Sequence, residues 1–151
     1  MTGRTEARRV RLPPLVARLP RPTPGNARLA GEVLLTYARA RRALARRRPL
    51  PDVLAELRAV EAPTPAAQPA IAVGLRLGRV VQRTLSPVPG GARCLATSLV
   101  LVRMLARRGI ESSLVIAART EPRFLAHAWV ERDGVALLPP ADPVARRLAQ
   151  L

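Results

Sequence analysis

Apolar positions in the first half of this chain recur at helical spacing. Leu29, Val33, Tyr37, Ala40 and Leu44 lie three or four residues apart, which predicts an amphipathic helix from Asn26 to Arg48. Asn26 suits its N-cap, and Pro49 and Pro51 stop it. Asp52 can cap a short second helix whose apolar stripe is Val53, Leu54 and Leu57. Glu61–Pro69 reads as a linker. A third helix is predicted from Ala70 to Leu85, with Ile71, Leu75, Leu77 and Val81 apolar, and the run Ser86–Gly91 breaks it. Ala92–Arg108 is the most apolar helix, with Leu95, Leu99, Val102 and Leu105–Ala106 facing a core. Its exit is well marked. Arg103, Arg107 and Arg108 complement the helix dipole, Gly109 can take a left-handed C′ position, and Ile110 can pack back.

The period then changes. Ser113–Ala118 and Phe124–Glu131 read as strands, and Asp133-Gly134 is a two-residue hairpin turn leading to a third strand, Val135–Leu138. Pro139 and Pro140 end it. A last short helix over Pro143–Ala149 is expected, with Asp142 as its cap. The class is α+β: an irregular Arg/Pro-rich arm (1–25), a helical region (26–89), and a core (90–151) in which one helix packs on a small antiparallel sheet. No internal repeat is visible.

Composition narrows the function classes. The chain has 151 residues, 26 Lys plus Arg against 10 Asp plus Glu, and a net charge of +16; every one of the basic residues is Arg. An electrostatic partner, nucleic acid or an acidic peptide, fits that charge, and so does a solvated Arg-rich surface. Hydrophobic residues make up 48%, enough for a packed core, while Tyr37, Phe124 and Trp129 are the only aromatics. Three rings argue against a protein that stacks successive bases, so no specific nucleic acid is expected. One cysteine and one histidine exclude an internal disulfide, a zinc site of several thiolates and a multi-histidine metal site. No cofactor or metal is expected. The basic start is broken by Pro13, Pro14 and Pro20 before an apolar region forms, and no run approaches the roughly 20 apolar residues of a transmembrane segment. The expected location is the cytoplasm, where the thiol stays reduced.

The single thiol and single imidazole occupy informative places. Cys94 falls in the first turn of the apolar helix, just after Gly90-Gly91. Unpaired backbone N–H groups and the positive end of the dipole favour a thiolate there, Arg93 adds positive charge, and the same N–H groups can hold an oxyanion. Gly90 and Gly91 let a substrate backbone come close. His127 shares a strand face with Leu125, Trp129 and Glu131, flanked by Ala126 and Ala128. A nucleophile–base pair is one reading. A small buried thiol and a satisfied core histidine are the other. For a group that orients the imidazole, Arg132 opposite Val135 puts Pro140 opposite His127, and Asp142 is the next residue on that face. Asp142 is equally well read as a helix cap, and Asp133 as a turn residue.

The stretch Gly91–Gly134 resembles the transglutaminase-like B-type leader peptidases of lasso-peptide biosynthesis, in the stand-alone form of split systems. Cys94-Leu95 opening a Ser- and Leu-containing helix, the exit Arg107-Arg108-Gly109-Ile110, and Ala126-His127-Ala128-Trp129-Val130-Glu131 before Asp133-Gly134 carry the likeness. The resemblance implies a papain-like fold with a Cys–His–Asp triad of Cys94, His127 and an acid. It places that acid on the strand after the hairpin, where this chain reads Val135–Pro140; Asp142 is the nearest carboxylate. Gly90, Gly91, Arg93 and Trp129 are assigned to substrate. The implied partners are a precursor peptide (leader plus core), a small leader-recognition protein and an ATP-using lasso cyclase. Two other functions stay open: an acyl transferase of the same fold, in which an amine replaces water, and a basic non-enzymatic module that binds peptide or nucleic acid.

Overall fold

Helix α4 (Arg93–Ala106) is apolar around its whole circumference, and the chain is arranged to cover it. In the computed structural model, which describes residues 24–61, 63, 68–89, 93–120, 124–138 and 146–151, Ala96, Leu99, Val100, Leu101, Val102, Met104 and Leu105 are at most 1% exposed. A helix dry on one stripe needs one neighbour, whereas one dry on all sides must sit inside. Accordingly α4 touches α1 (Pro24–Ala45), α2 (Leu50–Arg58), α3 (Ala70–Leu85) and the strands β1 (Ser113–Arg119) and β2 (Leu125–Arg132). Truncating one of its leucines, such as Leu99, costs about 2–5 kcal/mol, so this packing sets where the first turn of α4 sits. The exit is a Schellman motif: Ile110 N–H bonds Leu105 C=O at 3.0 Å and Gly109 N–H bonds Ala106 C=O at 3.0 Å, with Gly109 at φ +65.

The other helices follow the expected stripes, with local differences. Val33 and Ala40 of α1 and Val53, Leu54 and Leu57 of α2 are buried. Pro24, not Asn26, opens α1, as suits a residue whose missing N–H is not needed in the first turn. Pro49 takes the N-cap position of α2, so Asp52 sits inside the first turn instead of capping it. The buried face of α3 is Gly74, Leu77, Gly78, Val81 and Leu85. Its two glycines seat the segment after the hairpin: a Cβ on Gly74 would come within 2.7 Å of the Leu137 side chain, and one on Gly78 within 2.2 Å of the Leu137 carbonyl oxygen.

The sheet has the order β3-β2-β1-β4, with β3 at Val135–Ala136 and β4 at Arg146–Gln150. The hairpin register is the expected one: Arg132 faces Val135, and Asp133 and Gly134 both have positive φ, 49 and 75, as a I′ turn requires. The third strand is shorter than expected, but Leu137 N–H still bonds Val130 C=O at 2.8 Å.

The expected C-terminal helix is corrected: Arg146–Gln150 is a strand, antiparallel to β1. Its Ala, Arg, Leu and Gln residues favour a helix locally, but the second edge of β1 needs a partner for its backbone groups, and tertiary pairing overrides propensity. Leu114 and Leu151 exchange both backbone bonds, at 2.8 and 2.9 Å. Along β4, Ala149 faces Ile116 and Arg147 faces Ala117, so Leu148 is a bulge residue and stands 64% exposed. The bulge turns Arg147 onto the sheet face of Ala117 and its cross-strand partner His127.

Candidate active site

Cys94 is the second residue of α4, within the turn whose backbone N–H groups have no intrahelical acceptor. It is half-buried and not in a disulfide. His127 stands near the start of β2, between exposed Ala126 and buried Ala128, with Ala117 as its β1 neighbour. The two side chains line one open cavity of about 260 Å³, completed by Gln82, Leu85 and Ser86 of α3, Thr97 of α4, Ala128 and Leu138. His127 Nε2 is buried and has no hydrogen-bond partner among the described residues. An unpaired ring nitrogen in a cavity shared with a thiol is able to take the thiol proton.

A bond between helix and strand holds this pair in register. Ser98 Oγ donates to Ala128 C=O at 3.1 Å, both residues being buried. Ser98 is one turn beyond Cys94, and Ala128 is the residue after His127.

The imidazole is supported from its own strand face. His127 stacks on Trp129, with ring centroids 6.0 Å apart and planes 22° apart. Trp129 Nε1 donates to Glu131 Oε1 at 2.7 Å. Arg147 reaches Glu131 with both terminal nitrogens, at 2.8 and 3.2 Å, and its guanidinium carbon lies 5.7 Å from the Trp129 ring centroid. The expected alternation of Leu125, His127, Trp129 and Glu131 on one face produces this row. The assignment of Trp129 to substrate meets a different placement: the indole is 5% exposed and does not line the cavity, being covered by Arg147 and His127.

Gly90, Gly91 and Asp142 lie outside the described residues, as does the side chain of Arg93. The helix that Asp142 would cap is not formed over Arg146–Gln150. Gln82, Ser86, Thr97, Ser98 and Leu138 were not singled out from the sequence. Thr97, three residues after Cys94 on one helix, was within reach of spacing arguments. The others reach the site only through the packing of α3 and the hairpin.

A larger cavity, about 600 Å³, lies elsewhere, lined among others by Arg58, Val102, Ile110, Glu111 and Leu151. Two of its polar groups are already engaged: Arg58 donates to the Ser112 and Leu151 carbonyls, and Arg132 to the Glu111 carbonyl. Neither Cys94 nor His127 lines it.

This arrangement of a cysteine helix packed against an antiparallel sheet with a strand histidine belongs to a known class. The chain is a member of the transglutaminase-like superfamily, whose profile matches residues 33–148, from within α1 into β4. That superfamily has a fold of cysteine peptidases and acyl transferases. No curated protein and no solved structure matches the chain. Among the described residues, no helix is long and apolar enough to cross a membrane, and no cluster of His, Cys, Asp and Glu could hold a metal ion.

Proposed function

We propose that this protein is a cysteine peptidase that removes the leader from a ribosomal lasso-peptide precursor. The observation that carries the chemistry is the shared cavity: Cys94 at the start of α4, and His127 with an unpaired buried nitrogen, on the same wall-to-wall space. His127 takes the proton from Cys94, and the sulfur attacks the carbonyl at the end of the leader. The new oxyanion meets the free N–H groups of the first turn of α4. The C–N bond breaks as the imidazolium passes its proton to the leaving amine. Water then attacks the thioester, releasing the leader acid and restoring the thiol. Asp142 is the proposed orienting acid, and Trp129, itself held by Glu131 and Arg147, stacks on the ring.

The substrate part of the proposal rests on the likeness of Gly91–Gly134 to the lasso leader peptidases. It brings three partners: the precursor, a leader-recognition protein and an ATP-using cyclase, acting in the cytoplasm. The test is mass spectrometry of precursor incubated with the protein and the leader-recognition protein. Leader and core fragments whose masses sum to precursor plus one water are expected, and none with Cys94→Ala. Fragments bearing an added amine would replace hydrolysis by acyl transfer. An intact precursor, with an unrelated peptide cleaved instead, would keep the peptidase and remove the lasso substrate.

A further inference from the structure

Three arginines at the C-terminal end of α1, two in its last turns and one just after it, have no carboxylate partner among the described residues. Arg39, Arg42 and Arg46 are exposed and line a cavity of about 310 Å³ between α1, α2 and α4. Arg48 and Arg103 line it too, but both are engaged: Arg48 pairs with Glu56, the one carboxylate among the described residues that line the cavity, and Arg103 donates to the Leu57 and Ala59 carbonyls at 3.0 and 2.8 Å. No carboxylate among the described residues pairs with the other three.

The arrangement is costly by itself. Like charges three and four residues apart repel along a helix. Arg42 and Arg46 gain from the negative end of the α1 dipole, but Arg39 lies too far back to share it. The chain also adopts a left-handed residue at Arg47, φ 53, where glycine is the usual occupant. That turn lets Arg46 and Arg48 line the same cavity while Arg47 does not. Repulsion and backbone strain at one place, converging on a hollow, are what a site for an external anion looks like.

We propose that this groove docks an acidic segment of a polypeptide. Arg46 follows the last residue of α1 and its N–H still bonds Arg42 C=O, so Arg39 to Arg46 spans about 10 Å along the end of the helix, which is longer than one phosphate or sulfate and matches carboxylates spread along an extended peptide. Buried Val53 and Leu57 supply an apolar floor for the peptide between its charges. Nucleic acid fits less well: none of the three aromatic residues lines the groove, so no base can stack there, and a hollow of this size admits side chains and not a duplex. The proposal is independent of the peptidase reading.

The experiment is fluorescence anisotropy with a labelled Gly/Ser peptide carrying four glutamates, its glutamine counterpart, and a short DNA duplex. The variants are Arg39→Gln/Arg42→Gln/Arg46→Gln and, as a charge-matched control, Arg76→Gln/Arg79→Gln/Arg83→Gln. The control residues are exposed on α3 with the same spacing and do not line this groove. The glutamate peptide is expected to bind the native protein, the glutamine peptide not, and the α1 variant to lose about tenfold in affinity while the control changes little. Arg42→Gln alone should lose a smaller part, which covers misfolding of the triple variant. Equal losses in the two triple variants would reduce the effect to bulk charge and overturn the proposal. DNA bound more tightly than the glutamate peptide, with the same α1 dependence, would overturn it in favour of nucleic acid.

Discussion

Ser98 Oγ holds the carbonyl of Ala128 at 3.1 Å, joining the cysteine helix to the histidine strand. The need for this bond comes from the sequence beyond the hairpin. Val130 C=O is taken by Leu137 N–H, so the next ladder position would set residue 139 against Ala128. Residue 139 is proline and has no N–H to give. Ser98 supplies the missing donor, and in doing so fixes Cys94 and His127 relative to each other. Ser98→Ala should leave Ala128 C=O buried and unpaired, lowering stability by about 1–3 kcal/mol in urea denaturation. If Cys94 and His127 react as proposed, it should also lower turnover more than substrate affinity, because it loosens that pair and not the substrate contacts.

Gly78→Ala tests the seat of the hairpin on α3. The added Cβ meets a backbone oxygen, Leu137 O, at 2.2 Å, and backbone cannot swing aside as a side-chain tip can. A loss of about 1–3 kcal/mol is expected by thermal or chemical denaturation, although alanine is the better helix former. Gly74→Ala meets only the Leu137 side chain and should cost less.

Glu131→Ala removes the acceptor of both Trp129 Nε1 and Arg147. Arg147 is half-exposed and regains water, whereas the indole N–H is left buried. A loss of about 1–3 kcal/mol is expected. Glu131→Gln keeps an acceptor for the indole and should recover most of the turnover. That rescue, read as kcat at unchanged KM, separates positioning of His127 from general damage to the sheet.

Much of this architecture was legible because its causes are local. Leu29–Leu44, Val53–Leu57 and Leu95–Leu105 announce helices by spacing, Gly109 and Ile110 announce the exit of α4, and Asp133-Gly134 sets the hairpin register. What was missed depends on distant partners. Arg146–Gln150 has helical composition and becomes a strand because β1 has a free edge. Gly74 and Gly78 carry no hydropathy signal, yet they form the buried face against Leu137. For the site, Cys94 and His127 stood out as single residues of their kind at telling places, and their common cavity follows from the fold. Gln82, Ser86 and Leu138 enter it only through tertiary packing. The Glu131–Arg147 pair depends on a bulge at Leu148 that no pattern marks.

Asp142→Asn tests the proposed orienting acid. With Arg146–Gln150 a strand, no helix over that segment requires a cap. If the carboxylate orients and balances the imidazolium, the rate should fall by about two or more orders of magnitude, with stability little changed. Undiminished turnover would leave a Cys94–His127 dyad without this acid.

The pairing of Cys94 with His127 is the centre of the proposed mechanism, and alkylation reads it without a substrate. The measurement is the second-order rate of iodoacetamide addition to Cys94 at neutral pH, followed by intact mass, in the native protein and in His127→Ala. If the imidazole and the first turn of α4 activate the sulfur as proposed, the native thiol should react faster than a free thiol, and the variant about tenfold or more slowly than the native protein. Equal rates in the two proteins, or a native Cys94 that does not react, would contradict a nucleophile–base pair at this site.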